Sequence, residues 1–356
     1  MKFATAVVLV VALACAAKAA DAGASDPARS VAFGAAAQLE SRYVYPSRAA
    51  EAAKQLRRNA DAGAYDGLRA DALADKLTAD IAPVLHDKHV HVRYSADVVL
   101  PPPDAEGTPT PQRRAAFTAM MREGGFGLGR VEHLPGNVGY LDVRFFPQSN
   151  PDSDVVFDAM VNAVAYSEAI VLDLRRNHGG SPDTVARLLS HFVPPKTHVN
   201  DFVARGDGDP AVVESTYTAD VPGPRITVPL YVLISRETFS GGEECAYDVQ
   251  ALRRGTLVGE VTGGGANPGG DRRIDDHFEI FVPDERARNP VTMTNWEGTG
   301  VKPDVAVARD HALGTAYDLI LDAKLRDANL RPAQHAALAD LRAKLGAMSD
   351  AQILAL

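Results

Sequence analysis

Apolar residues recur at helical spacing in the first third of the chain. They lie one turn apart around residues 28–44 and 47–62, and again between Leu68 and Leu85. A repeat of three or four residues places apolar side chains on one face of a helix. The pattern therefore predicts a small helical bundle near the amino terminus.

The pattern changes after Leu85. Residues 89–92 read His-Val-His-Val and alternate as a strand does. Residues 101–111 are rich in proline, which donates no backbone hydrogen bond and does not fit a helix interior, so they are predicted to form a loop. This loop separates the helical region from the rest of the chain.

From Gly136 onward, short apolar runs alternate with amphipathic stretches. Near-continuous apolar strands separated by helices are typical of a largely parallel sheet that is covered on both faces. The predicted strands are 138–143, 169–174, 230–234, 256–261, 277–282, 291–294 and 305–307, and the predicted helices between them are 154–166, 184–192 and 241–252. Residues 312–356 return to a helical pattern, so we predict an α/β core followed by helices.

The length of 356 residues and the hydrophobic content of 46% allow one large core and a smaller one. Beyond the amino terminus, no stretch has the roughly 18 consecutive apolar residues that a membrane span requires. We expect a signal peptide at 1–20, a helical domain and linker at 21–128, a catalytic core at 129–310 and a helical segment at 311–356.

Residues 1–20 combine a basic start, an apolar run and the small-x-small triplet at 17–19. This arrangement is typical of a secretory signal peptide, and we expect a periplasmic or secreted protein. A lipid anchor on Cys15 is an alternative, which the small Ala12 three positions earlier disfavours. The formal net charge of −9 gives the chain no electrostatic reason to bind nucleic acid or an anionic membrane.

The chain has two cysteines, Cys15 and Cys245, and the first lies in the predicted signal peptide. Without it no intramolecular disulfide can form. Cys245 is therefore predicted to be a small buried apolar residue, although it remains a rival nucleophile.

The segment with the strongest chemical pattern follows the predicted strand 230–234. A short polar turn leads to Ser240, and a helix begins at or just after it with Gly241 and Gly242. A serine at this point often caps the helix. The same position, however, directs backbone N–H groups and the positive end of the helix dipole at any carbonyl that the hydroxyl attacks.

In these residues the chain resembles peptidase family S41, which includes the carboxy-terminal processing proteases, the tricorn core and the repeats of interphotoreceptor retinoid-binding protein. The segment from Thr238 to Glu243 matches the pattern Thr-x-Ser, two small residues and Glu. Residues 172–180 are similar to the family's Asp-x-Arg-x-Asn-x-Gly-Gly strand end. Further blocks follow in the same order at 139–141, 259–264 and 297–304. The resemblance covers residues 129–308.

The resemblance implies a crotonase-like or Clp-like core of the ββα spiral type, with Ser240 attacking a carbonyl. It also implies an oxyanion hole made by the amide of Gly241 and that of either Gly179 or Gly180. Glycines in a turn that leaves a buried strand agree with this, because such a turn can direct an unpaired N–H into a cleft.

The general base is where the chain departs from the processing proteases. In those proteases a lysine is the general base, and Gly265 stands at its position in this chain. Another group must therefore accept the serine proton. The tricorn and retinoid-binding branches carry a histidine in an Asp-x-His segment, which Asp87 to His89 resembles. The tricorn branch also has a glutamate near its Gly-Val-x-Pro-Asp block, where Glu297 fits. The resemblance therefore implies His89 as base and Glu297 as the carboxylate that orients it.

Other interpretations of these residues remain open. His86, His89 and His91 could bind zinc, or His89 could be a surface histidine without a role. We expect no metal and no cofactor. A module that binds apolar ligands without proteolysis is the alternative to an enzyme, because retinoid-binding repeats share the implied fold. The segment between the predicted helical domain and Gly136 is too short to hold a PDZ module. A peptide or protein substrate must therefore be selected by the cleft itself.

Overall fold

The computed structural model describes residues 27–99 and 110–356. The predicted signal peptide and most of the proline-rich loop lie outside the described residues. Within the described part of the chain, no helix has both the length and the apolar character to cross a membrane.

The described residues form helices at both ends of the chain and mixed α/β structure between them. The helices are α1 (Pro27–Arg42), α2 (Pro46–Asp61), α3 (Ala70–Leu85), α4 (Pro111–Glu123), α5 (Pro151–Ala163), α6 (Pro182–Ser190), α7 (Gly241–Ala251), α8 (Ala312–Leu325), α9 (Pro332–Leu345) and α10 (Asp350–Ile353). The strands are β1 (His91–Tyr94), β2 (Leu128–Leu134), β3 (Val138–Val143), β4 (Ala169–Asp173), β5 (His198–Val203), β6 (Val212–Tyr217), β7 (Leu230–Ile234), β8 (Thr256–Gly259), β9 (Gly269–Arg273), β10 (Phe278–Pro283), β11 (Arg286–Arg288) and β12 (Val305–Ala306).

The central sheet has the strand order β12-β8-β7-β4-β3-β2. All neighbouring pairs are parallel except β2 and β3. Alternate side chains of these strands enter two apolar clusters, one shared with α5, α6 and α7 and the other with α8, α9 and α10. The prediction of an α/β core with a covered, largely parallel sheet is therefore confirmed, as is the helical amino-terminal region.

The amino-terminal helices pack on a second sheet, whose strands come from both ends of the sequence. Strand β1 pairs antiparallel with β10, and β10 pairs with β9. Apolar residues of α1, α2 and α3 share one cluster with Val90, Val92, Phe278, Ile280 and Val282. This arrangement fixes the segment between α3 and β1 against residues that follow α7 in the chain.

Some elements differ from the sequence pattern. The strand predicted at 291–294 is wrong: these residues form a turn, because the side-chain oxygen of Asn289 accepts the backbone N–H groups of Val291 and Thr292. The hairpin of β5 and β6 and helix α4 were not predicted. A signal for α4 was present, since Thr110 accepts a hydrogen bond from the Arg113 N–H and Pro111 follows it as the first helical residue.

Candidate active site

The turn that carries Ser240 is fixed to the end of the neighbouring strand β4. The Thr238 hydroxyl accepts the Ser235 N–H at 2.9 Å and donates to the Leu174 carbonyl at 2.7 Å. The Ser235 hydroxyl donates to the Arg175 carbonyl at 2.6 Å. All of these groups are buried, so the path from β7 to α7 has little freedom.

Ser240 has the backbone angles φ +53° and ψ −122°. The Gly242 N–H donates to the Phe239 carbonyl at 2.9 Å, which closes a type II′ turn with Ser240 in the position that glycine usually occupies. Holding a side chain in such a conformation costs on the order of 1–3 kcal/mol. Ser240 is the N-cap residue of α7, and the Glu243 carboxylate closes a capping box by accepting the Ser240 backbone N–H.

Glu243 holds this turn together from inside the protein. Its buried carboxylate accepts the backbone N–H groups of Ser240 at 3.0 Å, Gly264 at 2.6 Å and Gly265 at 2.8 Å, and also the Thr262 hydroxyl. Burial raises the pKa of Glu243, although these donors act in the opposite direction. Glu243 therefore connects the Ser240 turn to the loop in which processing proteases carry their lysine.

The glycine turn after β4 lies directly beside Ser240. A Cβ atom added to Gly179 would lie 2.7 Å from the Ser240 Cβ, and one added to Gly241 would lie 3.1 Å from the Gly180 nitrogen. The Gly179 N–H already donates to the Asn177 side chain at 2.8 Å. Of the two glycines that the sequence left open, Gly180 is therefore the one with a backbone N–H to offer.

The geometry of Gly180 supports this choice. Phe146 and Gly180 form an isolated parallel β-bridge, in which the Phe146 N–H donates to the Gly179 carbonyl and the Phe146 carbonyl accepts the Ser181 N–H. The N–H and the carbonyl of Gly180 itself therefore face away from Phe146. Gly180 has φ +129°, and a Cβ there would overlap the Phe146 carbonyl. Gly241 is the first residue of α7, so its N–H has no acceptor within the helix. Among the described residues, neither of these two N–H groups next to the serine has a hydrogen-bond acceptor.

His89 lies between α3 and β1, where the Asp87 side chain accepts the His89 backbone N–H at 2.9 Å. Its ring packs against Phe239, the residue before Ser240, with 4.6 Å between ring centroids, and stacks on Phe281 at 5.9 Å. A Cβ atom on Gly265 would lie 2.7 Å from the His89 Cε1. The imidazole therefore lies next to Gly265, the position at which the processing proteases carry their lysine.

Glu297 belongs to the same cluster of side chains as Asp87 and His89. Its Oε2 accepts the Ala266 N–H at 2.6 Å, while Oε1 is buried without a hydrogen-bond partner among the described residues. One ligand atom from each of Asp87, His89 and Glu297 lies within 4.8 Å of the other two. Burial, together with the charge of Asp87, raises the pKa of Glu297 to about 8. At neutral pH Glu297 is therefore mostly protonated, whereas the sequence suggested a charged acceptor.

These three groups are poor candidates for a metal centre. Asp87 already accepts hydrogen bonds from Tyr43 and Asn267 on one oxygen and from the His89 backbone on the other. Zinc in proteins normally takes three or four ligands with free lone pairs. The zinc alternative at His86, His89 and His91 gains no support either, because His86 is exposed and the His91 ring is bonded to the His89 carbonyl.

Cys245 is fully buried in the cluster formed by α5, α6 and α7. Burial, reinforced by the nearby charges of Asp248 and Glu244, raises the pKa of its thiol well above the usual value. A buried protonated thiol is a poor nucleophile, so Cys245 is a structural residue.

Asn177 contributes more than its place in the motif suggested. It is fully buried, and its side chain donates to the Val143 carbonyl at 3.0 Å while accepting the Gly179 N–H. Its own carbonyl accepts the Phe239 N–H at 3.0 Å. One residue thus fixes both turns of the site. The motif contained Asn177, but its three contacts depend on the meeting of β3, β4 and β7, which sequence spacing does not reveal.

A serine in a strained turn beside backbone N–H groups is an arrangement that a serine hydrolase requires. The model of peptidase family S41 matches residues 137–307, which include both turns. A protein from Parabacteroides merdae ATCC 43184 is similar over 83% of this chain and 98% of its own, with a TM-score of 0.60 and 18% identity. Mature CPAF complexed with lactacystin is similar over 88% of this chain and 99% of its own, with a TM-score of 0.51 and 11% identity.

The tricorn protease is similar over 90% of this chain and 37% of its own, with a TM-score of 0.50 and 12% identity. At these identities the solved structures support the fold. The core of this chain belongs to peptidase family S41, and the protein is a serine-type peptidase.

Adding a side chain at Gly265 tests whether the position of the His89 ring matters for the reactivity of the site. Gly265→Ala is expected to displace both the Phe239 ring and the imidazole, because its Cβ would lie 2.4 Å from the Phe239 Cζ and 2.7 Å from the His89 Cε1. Displacements of this size cost catalysis on the order of 100-fold. The measurement is the second-order rate of labelling by a serine-reactive fluorophosphonate.

Gly270→Ala is the matched control, because the nearest atoms to its Cβ lie 3.9 Å away. Thermal unfolding of both variants should remain close to that of the wild type. If Gly265→Ala were labelled as fast as Gly270→Ala, the imidazole would not be part of the reacting centre.

Proposed function

We propose that this protein hydrolyses peptide bonds through an acyl-enzyme on Ser240, with His89 as general base and a neighbouring carboxyl group, that of Asp87 or of Glu297, as the group that orients it. The observation that carries the proposal is the strained II′ turn at Ser240, with the unpaired N–H groups of Gly180 and Gly241 beside it. Strain of this kind persists where the surrounding structure enforces it, and it is concentrated at functional sites.

In the proposed reaction the imidazole of His89 takes the proton of the Ser240 hydroxyl as Oγ attacks the substrate carbonyl. The negative charge on the carbonyl oxygen is stabilised by the N–H groups of Gly180 and Gly241. The imidazolium then gives its proton to the departing amine, and the acyl group stays on Ser240. Water, activated by the same imidazole, releases the carboxylic acid product.

A substrate of peptide or protein class follows from membership of the family. With no PDZ module predicted, we propose that the cleft around Ser240 selects the substrate. In the free protein both ring nitrogens of His89 are buried without hydrogen-bond partners among the described residues. Hydrogen bonds of catalytic groups often form fully only with substrate bound, so this geometry is compatible with a base that engages during the reaction.

Export completes the proposal and rests on the pattern of residues 1–20. When the full sequence is expressed in bacteria, the protein in the periplasmic extract or the medium is expected to lack these residues. Its intact mass measures the loss. Recovery of the uncleaved chain from the cytoplasm alone would contradict export without affecting the catalytic proposal.

The nucleophile is tested by Ser240→Ala. This variant is expected to lose fluorophosphonate labelling and peptidase activity entirely, because the alkyl side chain cannot form the acyl-enzyme. Its stability should change by about 1 kcal/mol, the usual cost of losing the side chain of an N-cap serine. Peptide mapping of the labelled wild type should place the modification on Ser240.

Ser181→Ala is the matched control, because Ser181 is also the residue before a helix and makes no side-chain cap hydrogen bond. It should label and hydrolyse as the wild type does. Persistent labelling of Ser240→Ala would overturn the assignment, and a wild type that binds apolar ligands but is never labelled would favour the retinoid-binding alternative.

A further inference from the structure

We infer that Asp87, and not Glu297, is the charged residue that positions the His89 imidazole and stabilises its protonated form. This inference rests on the proposed function, because it assigns Asp87 a role behind the proposed base. Asp87 does not touch the substrate in this scheme, so it is a positioning residue.

One oxygen of Asp87 is directed at His89. Its Oδ1 accepts the His89 backbone N–H at 2.9 Å and lies 3.5 Å from the His89 Nδ1. The Asp87 side chain is 1% exposed and that of His89 is 8% exposed. A small movement of the ring is enough to form a hydrogen bond between Nδ1 and this carboxylate, which would leave the other ring nitrogen, Nε2, for the serine proton.

The second oxygen of Asp87 is held by neutral donors. The Tyr43 hydroxyl donates to Oδ2 at 3.2 Å and the Asn267 amide donates to it at 2.9 Å. Tyr43 follows α1 and Asn267 precedes β9, so three separate parts of the chain fix one carboxylate. Neutral donors orient the charge without neutralising it. The imidazolium that forms during acylation can therefore supply the missing positive charge.

Glu297 is suited to a different role. The only hydrogen bond that its carboxyl group makes among the described residues comes from the Ala266 N–H. Two carboxylates in one buried cavity cannot both ionise at low cost. Burial raises the pKa of Asp87, but hydrogen bonds and charge from His89 and the Asn267 amide outweigh this and lower it overall. Asp87 thus carries the charge, while Glu297 keeps its proton at neutral pH.

Other charged and titratable groups lie around the cluster of Asp87, His89 and Glu297, on the elements packed against it. They are Tyr43 after α1, Arg48 on α2, Lys88 and His91 beside His89, and Glu243 on α7. Burial and the charge of Asp87 raise the pKa of Tyr43 far above its usual range, so its hydroxyl stays a donor. Arg48 donates to the Leu85 carbonyl at 3.3 Å, and its positive charge acts against the rise in the pKa of Glu297.

The test compares Asp87→Asn with Glu297→Gln by fluorophosphonate labelling of the full chain from about pH 5 to pH 10. Asp87→Asn is expected to slow labelling by about 100- to 10,000-fold, since the same change in a Ser-His-Asp triad lowers kcat by about 10⁴. The acid limb of its pH–rate profile should move to lower pH, because the imidazolium has lost its counter-ion.

Glu297→Gln is expected to stay within about tenfold of the wild-type rate at pH 7, because a neutral amide replaces a group that is mostly protonated there. The wild type should show an inflection near pH 8 as Glu297 ionises, and this variant should lack it. A larger loss in Glu297→Gln than in Asp87→Asn would overturn the inference.

Asp80→Asn is the matched structural control. Asp80 also accepts a tyrosine hydroxyl and an asparagine amide, from Tyr65 at 3.0 Å and Asn59 at 2.8 Å, within the helical bundle. Its loss should affect stability but leave the pH–rate profile unchanged. If Asp87→Asn does not fold, Asn267→Ala removes one donor and keeps the charge, and a smaller loss of rate is expected. An unchanged rate and profile in a folded Asn267→Ala would then overturn the inference.

A second readout does not depend on activity. At about pH 5, where an imidazole carries a positive charge that draws it to Asp87, the proton NMR spectrum of the wild type should contain a far-downfield imidazole N–H resonance from the bond between Nδ1 and Asp87, also present in Glu297→Gln and absent in Asp87→Asn. Its absence from the wild type overturns the inference even if Ser240 is labelled. If the wild type shows the resonance but is not labelled, the proposed function is contradicted, whereas the pairing of Asp87 with His89 is retained.

Discussion

The antiparallel pairing of β1 with β10 is the interaction on which the proposed site depends. It aligns His91 with Phe281 and Val92 with Ile280, and the apolar sides of these strands are buried under the amino-terminal helices. His89 lies two residues before this strand, so the pairing carries it against the Ser240 turn. A histidine far away in sequence thereby packs against Phe239, the residue before the proposed nucleophile. Substitutions that weaken this pairing should therefore affect chemistry as well as stability.

The second requirement is that the Ser240 turn keeps an unfavourable backbone conformation. Its cost, on the order of 1–3 kcal/mol, is similar to the contribution of a few buried hydrogen bonds at about 1 kcal/mol each. Glu243 and Asn177 provide such bonds from opposite sides of the turn. These hydrogen bonds hold the backbone of the Ser240 turn and do not involve the serine hydroxyl. The surrounding core holds this turn in its strained conformation. Because β4 and β7 are parallel neighbours, the two turns that follow them lie at the same end of the sheet.

Much of the fold could be predicted from the sequence, because the buried strands β3, β4 and β7 are continuous apolar runs and the amino-terminal helices have a clear period. The segment at 291–294 looked like a strand, yet the side chain of Asn289 captures its N–H groups. The position of Ser240 and its glycine neighbours followed from the motif. The choice of Gly180 over Gly179, and the charges of Asp87 and Glu297, depend on contacts between distant segments that no spacing reveals.

The most direct measurement is a crystal structure of the protein after reaction with a fluorophosphonate. Our account predicts a covalent bond to the Ser240 Oγ and a phosphonyl oxygen within about 3.1 Å of the Gly180 and Gly241 nitrogens. It also predicts the His89 Nε2 within hydrogen-bonding distance of the adduct, with Nδ1 bonded to Asp87. A phosphonyl oxygen directed away from both glycines, or a His89 ring remote from the adduct, would contradict the account.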